Sequence, residues 1–439
     1  MKSLRTISLL GALAVSGALL AQDAKVPERG KFAIVGARIE LGDGRSIPSG
    51  TVLISNGIIS SVIDTPTAPL PPDYQIIKAD GKILYPGFID CYSTKGVSNP
   101  PDPSDAGKPD TATKAPPFMW IGNRKGIFPE WKAAANCTFE PDTDNYKEGV
   151  TMMQLSSSRG GMRGMTTVID LLPASEKSRY VKSDNALSMS FRLGAGSGYP
   201  SNILGTIALL RQVWADAASL RDGASLYEGD KKPTWMASLE ALQPALGRKM
   251  PVIYEASMDR EIERVFRMSK EFGFKPIIQG ARDANKLIKS IQANEASVIL
   301  NADPGFEPNV DPPSKDTPPA DATPLAYKKE RYARWEAQTR CAADLAAAKV
   351  KFAFCSEGST NRLLENVRNL VKRGLSRDAA LRALTVDAAD ILGVNAGLIE
   401  NGRKANLVLF DGDFSDAKSK SVMVWVDGRQ VYADKEGSK

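Results

Sequence analysis

Between residues 85 and 395 short apolar runs alternate with amphipathic stretches, and this alternation limits the possible folds more than any other feature of the chain. The runs "VTMMQLS", "TTVIDLL", "ALSMSFRL", "PVIYEA", "KPIIQGA", "SVILNAD" and "KFAFCSE" are of strand length. The interleaved "DREIERVFRMSKEFG" and "DANKLIKSIQANE" repeat apolar residues at helical spacing. Strand then helix, repeated, predicts an α/β fold with a parallel sheet, since a parallel pair needs a crossover that a helix supplies. Seven or eight repeats predict a closed (β/α)8 TIM-like barrel, with an open doubly wound sheet as the alternative.

The flanks read differently. From Lys31 to Leu84 the chain shows short alternating runs around an Asn56-Gly57 turn signal, and "NLVLFDGDF" and "SVMVWVDGRQVYAD" near the C-terminus repeat that character around Asp427-Gly428. Neither flank has enough strands to bury a face alone. Residues 31–84 and 396–437 are therefore expected to form one composite β-sandwich, with 85–395 as the barrel.

The chain begins with Lys2 and Arg5, an apolar run from Ile7 to Leu20, and Ala21-Gln22, the three-part layout of a secretory signal peptide. The run contains Ser8, Gly11, Ser16 and Gly17 and falls short of the about 20 apolar residues of a membrane span. Residues 1–21 are expected to be removed, with Ala18 an alternative cleavage site, giving a periplasmic or secreted protein with no membrane span. Loss of Lys2 and Arg5 takes the formal charge from +6 to about +4, too weak to point to a nucleic-acid partner. In an oxidising compartment Cys91, Cys137, Cys341 and Cys355 allow a Cys137–Cys341 disulfide, and buried free thiols are the equal alternative. Two loops rich in Pro, Asp and Thr, 97–118 and 304–325, each follow a proposed strand and are read as a lid or as solvated spacers.

The segment from Gly81 to Asp90, "GKILYPGFID", resembles the opening of the barrel in the amidohydrolase superfamily. Near the far end, "GLSRDAALRALTVDAADILGV" and "GLIENGRKANLVLFDGD" resemble that superfamily's last helices and return strand. With the split β module, the likeness covers nearly all of the mature chain and is nearest the imidazolonepropionase-related and secreted dipeptidase-like branch. It implies a barrel whose first strand offers two metal-binding histidines, whose fifth and sixth strands offer one each, and whose eighth offers an aspartate that binds metal and carries protons. Carried onto this chain, those positions are Tyr92 and Thr94, Glu255, Gln279 and Glu357. The chain has no histidine at all.

Zinc works in such a centre by lowering the pKa of bound water to roughly 7, worth about 12 kcal/mol of ionisation free energy. Phenol, hydroxyl, amide and two carboxylates do not make a nitrogen-rich zinc site. No cofactor is expected, the former metal pocket being closed by hydrogen bonds. The alternative is Mg²⁺, Ca²⁺ or Mn²⁺ held by oxygens of Glu255, Glu357 and Gln279 with Asp90 or Thr94. Two facing carboxylates would raise one pKa unless a base such as Lys95 or Arg192 lies near.

Arg163, in the glycine-flanked "GGMRGM", is read as gripping a ligand carboxylate or as a surface cation. Cys355 is expected to point inward as packing. Ser415 and Lys418 match Ser-x-x-Lys spacing by chance, and "GAGSGYP" around Ser197 misses the Gly-x-Ser-x-Gly spacing of a nucleophile elbow.

Three functions follow as expectations. The first is a catalytically degenerate exported member of the superfamily with a binding or assembly role, as a homo-oligomer or beside a histidine-bearing paralogue. The second is a hydrolase of carbon–nitrogen bonds using an oxygen-ligated metal or a carboxylate base, with Glu357 in the catalytic position. The third is a soluble receptor for a small ligand.

Overall fold

The computed structural model describes residues 27–101, 125–193, 200–223, 237–312 and 323–434. The expected signal peptide (1–21), most of the first Pro-rich loop, residues 313–322 of the second, and Ser197 lie outside the described residues. No described helix is long and apolar enough to cross a membrane.

Strand and helix alternate as expected over the second half of the chain. Strands Leu187–Ser190, Val252–Ala256, Pro276–Gly280, Ser297–Asn301 and Phe352–Cys355 pair in parallel, each with the next. Helix Asp259–Phe272 shows why the crossovers form. Ile262, Val265, Phe266 and Ser269 fall on its buried face, and Gly273, at φ +80°, ends it in a left-handed turn that a side chain would strain.

The run "TTVIDLL" departs from expectation. It belongs to a return segment whose first half, Met162–Met165, pairs antiparallel with Leu187–Ser190, and whose second half, Thr167–Asp170, pairs antiparallel with Val150–Leu155. Only six residues separate Leu155 from Met162, too few for the dozen or more that a parallel crossover needs, so the chain turns straight back. This segment links a four-stranded ladder containing the parallel pair Phe88–Ser93 and Val150–Leu155 to the six-stranded ladder. At the far edges Phe88–Ser93 and Phe352–Cys355 share no ladder, yet they meet. Glu357 N donates to Tyr92 O (3.2 Å), and buried Asp90 accepts from Ser356 N (3.0 Å) and Oγ (2.5 Å).

The flanking segments pair as one continuous eight-stranded sheet. Strand Ile83–Pro86 joins the two ends of the chain, pairing with Phe32–Glu40 on one side and Leu407–Phe410 on the other. Ile34, Ile54, Leu84, Leu407 and Trp425 form its own apolar core. A buried polar knot fastens this sheet to the ladders. Lys404 Nζ donates to Asp170 Oδ2 (2.5 Å) and Asp427 Oδ1 (3.0 Å), and Asn406 Nδ2 donates to Asp170 Oδ1 (2.7 Å).

All four cysteines are free, so the Cys137–Cys341 pairing is not formed. Cys137 Sγ instead accepts from Arg179 Nη2 at 3.1 Å, while Cys341 is buried with its thiol 3.6 Å from Ala281 O. The 304–325 and 97–118 stretches are each described in part, and their described starts border cavities treated below.

Removing Lys404 leaves the fully buried Asp170 carboxylate without its cation. Lys404→Met is expected to cost about 3–5 kcal/mol in urea unfolding, and adding Asp170→Leu should recover most of it. Asp90 gives a pH test. Burial pushes its carboxyl up to about 6 from the ordinary 3.8, so the folded chain holds a proton that the unfolded chain releases. Its contribution to stability is full below pH 4 and is lost as the pH rises through 6. The urea midpoint of the wild type, relative to that of Asp90→Asn, should fall between pH 4 and 7.

Candidate functional site

Side chains alternate along a strand, and register aligns the parallel strands, so one level of the ladder presents one set of residues. Ile253, Ile277, Ile299 and Ala353 pack together as a buried apolar layer. Two residues on, nearer the C-terminal ends of their strands, come Glu255, Gln279, Asn301 and Cys355, with Asn301 and Cys355 one step beyond the other pair because Gln279 is in register with Ile299. Glu255 and Gln279 are direct register partners, as are Asn301 and Cys355.

Above this level lies a cavity of about 380 Å³ bordered by Tyr92, Thr94, Arg163, Glu255, Gln279 and Glu357. The six positions singled out in the sequence therefore surround one space. Asn99, Ser158, Arg159 and Arg192 complete its rim. Asn99 lies at the start of the first Pro-rich loop and is held there by hydrogen bonds from Ser158 N (2.9 Å) and Oγ (3.0 Å).

Arg163 is the centre of the polar contacts. It is not a surface cation, being 6% exposed, and the carboxylate it grips belongs to the protein. Its Nη2 makes a very short hydrogen bond to Glu255 Oε2, Nη1 donates to the Tyr92 hydroxyl (3.2 Å), and Nε donates to Gly160 O (3.3 Å). The Tyr92 hydroxyl, accepting from Arg163, is 3.0 Å from Ser188 Oγ. Burial works against the Arg163 cation, but Tyr92 and Glu255 outweigh it and its pKa is raised. Gly164, at φ +92°, is needed beside it, because a Cβ there would lie 2.1 Å from Trp131 O.

Arg192 Nη1 lies 3.4 Å from Glu255 Oε1, so of the two bases expected near the carboxylates Arg192 is the one in contact. Lys95 takes Thr360 Oγ1 (3.4 Å) and Asp142 (3.6 Å) as partners.

Glu357 follows the end of its strand with φ +52°, a left-handed conformation uncommon outside glycine, which turns its carboxylate over the cavity floor. Gln279 Nε2 donates to Oε1 (2.6 Å) and Asn301 Nδ2 to Oε2 (2.8 Å). Enclosure by the pocket wall raises the Glu357 pKa, the Gln279 amide works against that shift, and repulsion from Glu255 adds to it. Thr94 Oγ1 donates to the Glu357 carbonyl at 3.4 Å. Cys355 beneath it is fully buried, and burial pushes its thiol well up, away from a nucleophilic thiolate. Ser415 Oγ donates to Asp413 Oδ1 (2.7 Å), so Lys418 does not activate it.

This donor set does not fit a divalent cation. The Glu255 carboxylate faces two guanidinium groups, and both Glu357 oxygens accept amide protons. Among the described residues no three Asp, Glu or Cys side chains converge on a point. Asn301, Ser188 and the Asp90–Ser356 contact were not foreseen. Asn301 was within reach, since it stands two residues after the inward Ile299 in "SVILNAD".

Comparison with known proteins agrees with this architecture. The amidohydrolase Amidohydrolase tasK of Hapsidospora irregularis is 23% identical over 413 residues, which cover 88% of this chain but only 40% of that protein. The chain thus spans well under half of that relative's length. An amidohydrolase from Thermotoga maritima MSB8 superposes with a TM-score of 0.71 at 22% identity, covering 92% of this chain and all of that one. A putative prolidase from Bifidobacterium longum does so with a TM-score of 0.51 at 15% identity, over 92% of this chain and 95% of its own. At such identities the likeness is one of mixed α/β fold. Residues 162–431, more than half of the sequence, match the amidohydrolase family, and the chain belongs to that family.

Proposed function

We propose that this protein is a catalytically degenerate amidohydrolase whose cavity binds a small ligand without a resident metal ion. The observation that carries this reading is the buried guanidinium of Arg163, seated between Glu255 and the Tyr92 hydroxyl. Two positions that the family resemblance assigns to metal ligands are thereby joined by an internal cation, and a divalent ion at Glu255 would be repelled by it. In this reading residues 1–21 are removed on export to the periplasm or beyond, and 85–395 form one (β/α)8 barrel closed through Asp90 and Ser356. Residues 31–84 and 396–437 form its composite β module. The assembly is a homo-oligomer or includes a histidine-bearing paralogue.

One observation favours a second reading, hydrolysis of a carbon–nitrogen bond with Glu357 as general base. Its raised pKa and its place on the cavity suit a carboxylate that takes up a proton more readily than an ordinary glutamate. The prolidase likeness is compatible with such a substrate class, though fold alone does not assign it.

Full-length protein loaded with Zn²⁺ or Mn²⁺ and then dialysed should retain far less than one ion per chain by elemental analysis. Stoichiometric retention overturns the first reading. Dipeptide hydrolysis that disappears in Glu357→Gln, with the melting temperature unchanged, would establish the second in its place.

A further inference from the structure

A second cavity, of about 600 Å³, opens between the start of the second Pro-rich loop, helix Leu325–Thr339 and helix Leu363–Lys372. Its floor is built. Trp335 Nε1 donates to Gly305 O (3.2 Å), the Arg373 guanidinium stacks 4.4 Å from the Trp335 ring, and Arg373 Nη2 donates to Glu307 (3.2 Å).

The wall formed by helix Leu363–Lys372 and its two flanking arginines is unusual. Arg362, Asn366, Asn369 and Arg373 recur at three- and four-residue intervals and so share one face, and that face borders the cavity. Asn366 is 6% exposed, yet its side chain makes no hydrogen bond among the described residues, and neither does that of Asn369. The Asn366 amide meets no protein partner and opens onto the cavity, so it is free to exchange solvent for a ligand group. Opposite, Phe306 is 96% exposed on the loop. Lys372, at the end of the helix, has no ion-pair partner among the described residues, whereas Arg362 is taken up by Glu365 (3.3 Å).

We propose that this groove binds an extended acidic peptide segment, its main chain held by Asn366 and Asn369, an apolar side chain against Phe306 and a carboxylate on Lys372. The spacing favours a peptide. Residues three apart on a helix stand about 5–6 Å apart, close to the roughly 6.7 Å between alternate residues of an extended chain. Each asparagine amide offers a donor and an acceptor, matching the C=O and N–H of a peptide unit. A hydrogen-bonded link runs between the two cavities, since Asn301, which holds Glu357, also accepts from Asp303 N (2.8 Å) at the groove edge. The inference does not depend on whether the first cavity is catalytic.

The test is fluorescence anisotropy of the full chain with capped, fluorescein-labelled hexapeptides alternating Glu with Phe or Leu. Lysine-containing counterparts and AMP serve as competing probes. Saturable binding of the acidic peptides is expected, weakened at least tenfold by Asn366→Leu with Asn369→Ala and several-fold by Lys372→Ala. Asn366→Leu alone should leave the melting temperature essentially unchanged, because no protein group loses a hydrogen bond. Absence of acidic-peptide binding, binding indifferent to these variants, or AMP binding that Asn366→Leu abolishes while peptides fail would overturn the proposal. So would a marked fall in melting temperature in Asn366→Leu, which would make the amide structural.

Discussion

A guanidinium buried among the ends of strands must be answered by charge, and the contact between Arg163 and Glu255 sets the character of the whole pocket. Because Arg163 arrives on the return segment 162–170, that segment is held against strand Val252–Ala256 by more than its neighbouring ladder. Tyr92 is drawn into the same cluster from the first strand through its hydroxyl. The cavity is thus divided. One wall is cationic, with Arg163 and Arg192 around Glu255, and the other presents Glu357 wrapped by the amides of Gln279 and Asn301. Such a division sets opposite charges on facing walls of one cavity.

A similar logic operates at the base of the molecule. Asp170 ends the return segment, and Lys404 and Asn406 meet it from the turn that leads into the composite sheet. The sheet joins residues that lie more than 300 apart, Leu84 beside Leu409, so its formation brings together the two ends of the described chain. Two buried polar contacts, one at the cavity and one at this junction, give the apolar layers a defined register that hydrophobic packing alone does not specify.

Much of this was legible beforehand. The family resemblance placed Tyr92, Thr94, Glu255, Gln279 and Glu357, and the register sets Glu255 and Gln279 side by side. Glu357 follows its strand in a left-handed turn, and its carboxylate reaches the cavity through that turn. The direction of "TTVIDLL" was misread because an isolated strand carries no sign of its polarity. The short connection from Leu155 to Met162 was the available clue. The cysteines left two outcomes open, since pairing depends on distance across the fold, and the free-thiol alternative is the one found, Cys137 and Cys341 having other partners.

The sequence by itself determined the alternation of strands and helices, the split β module and the absence of any imidazole, because these are properties of local pattern and composition. Only the tertiary structure decided that Arg163 faces inward, that Glu255 rather than a ligand is its partner, and that Asn366 is buried beside an open groove. The reason is physical. Periodicity records which face of an element is apolar, whereas the partner of a buried charge or amide is chosen by residues that approach it from distant parts of the chain.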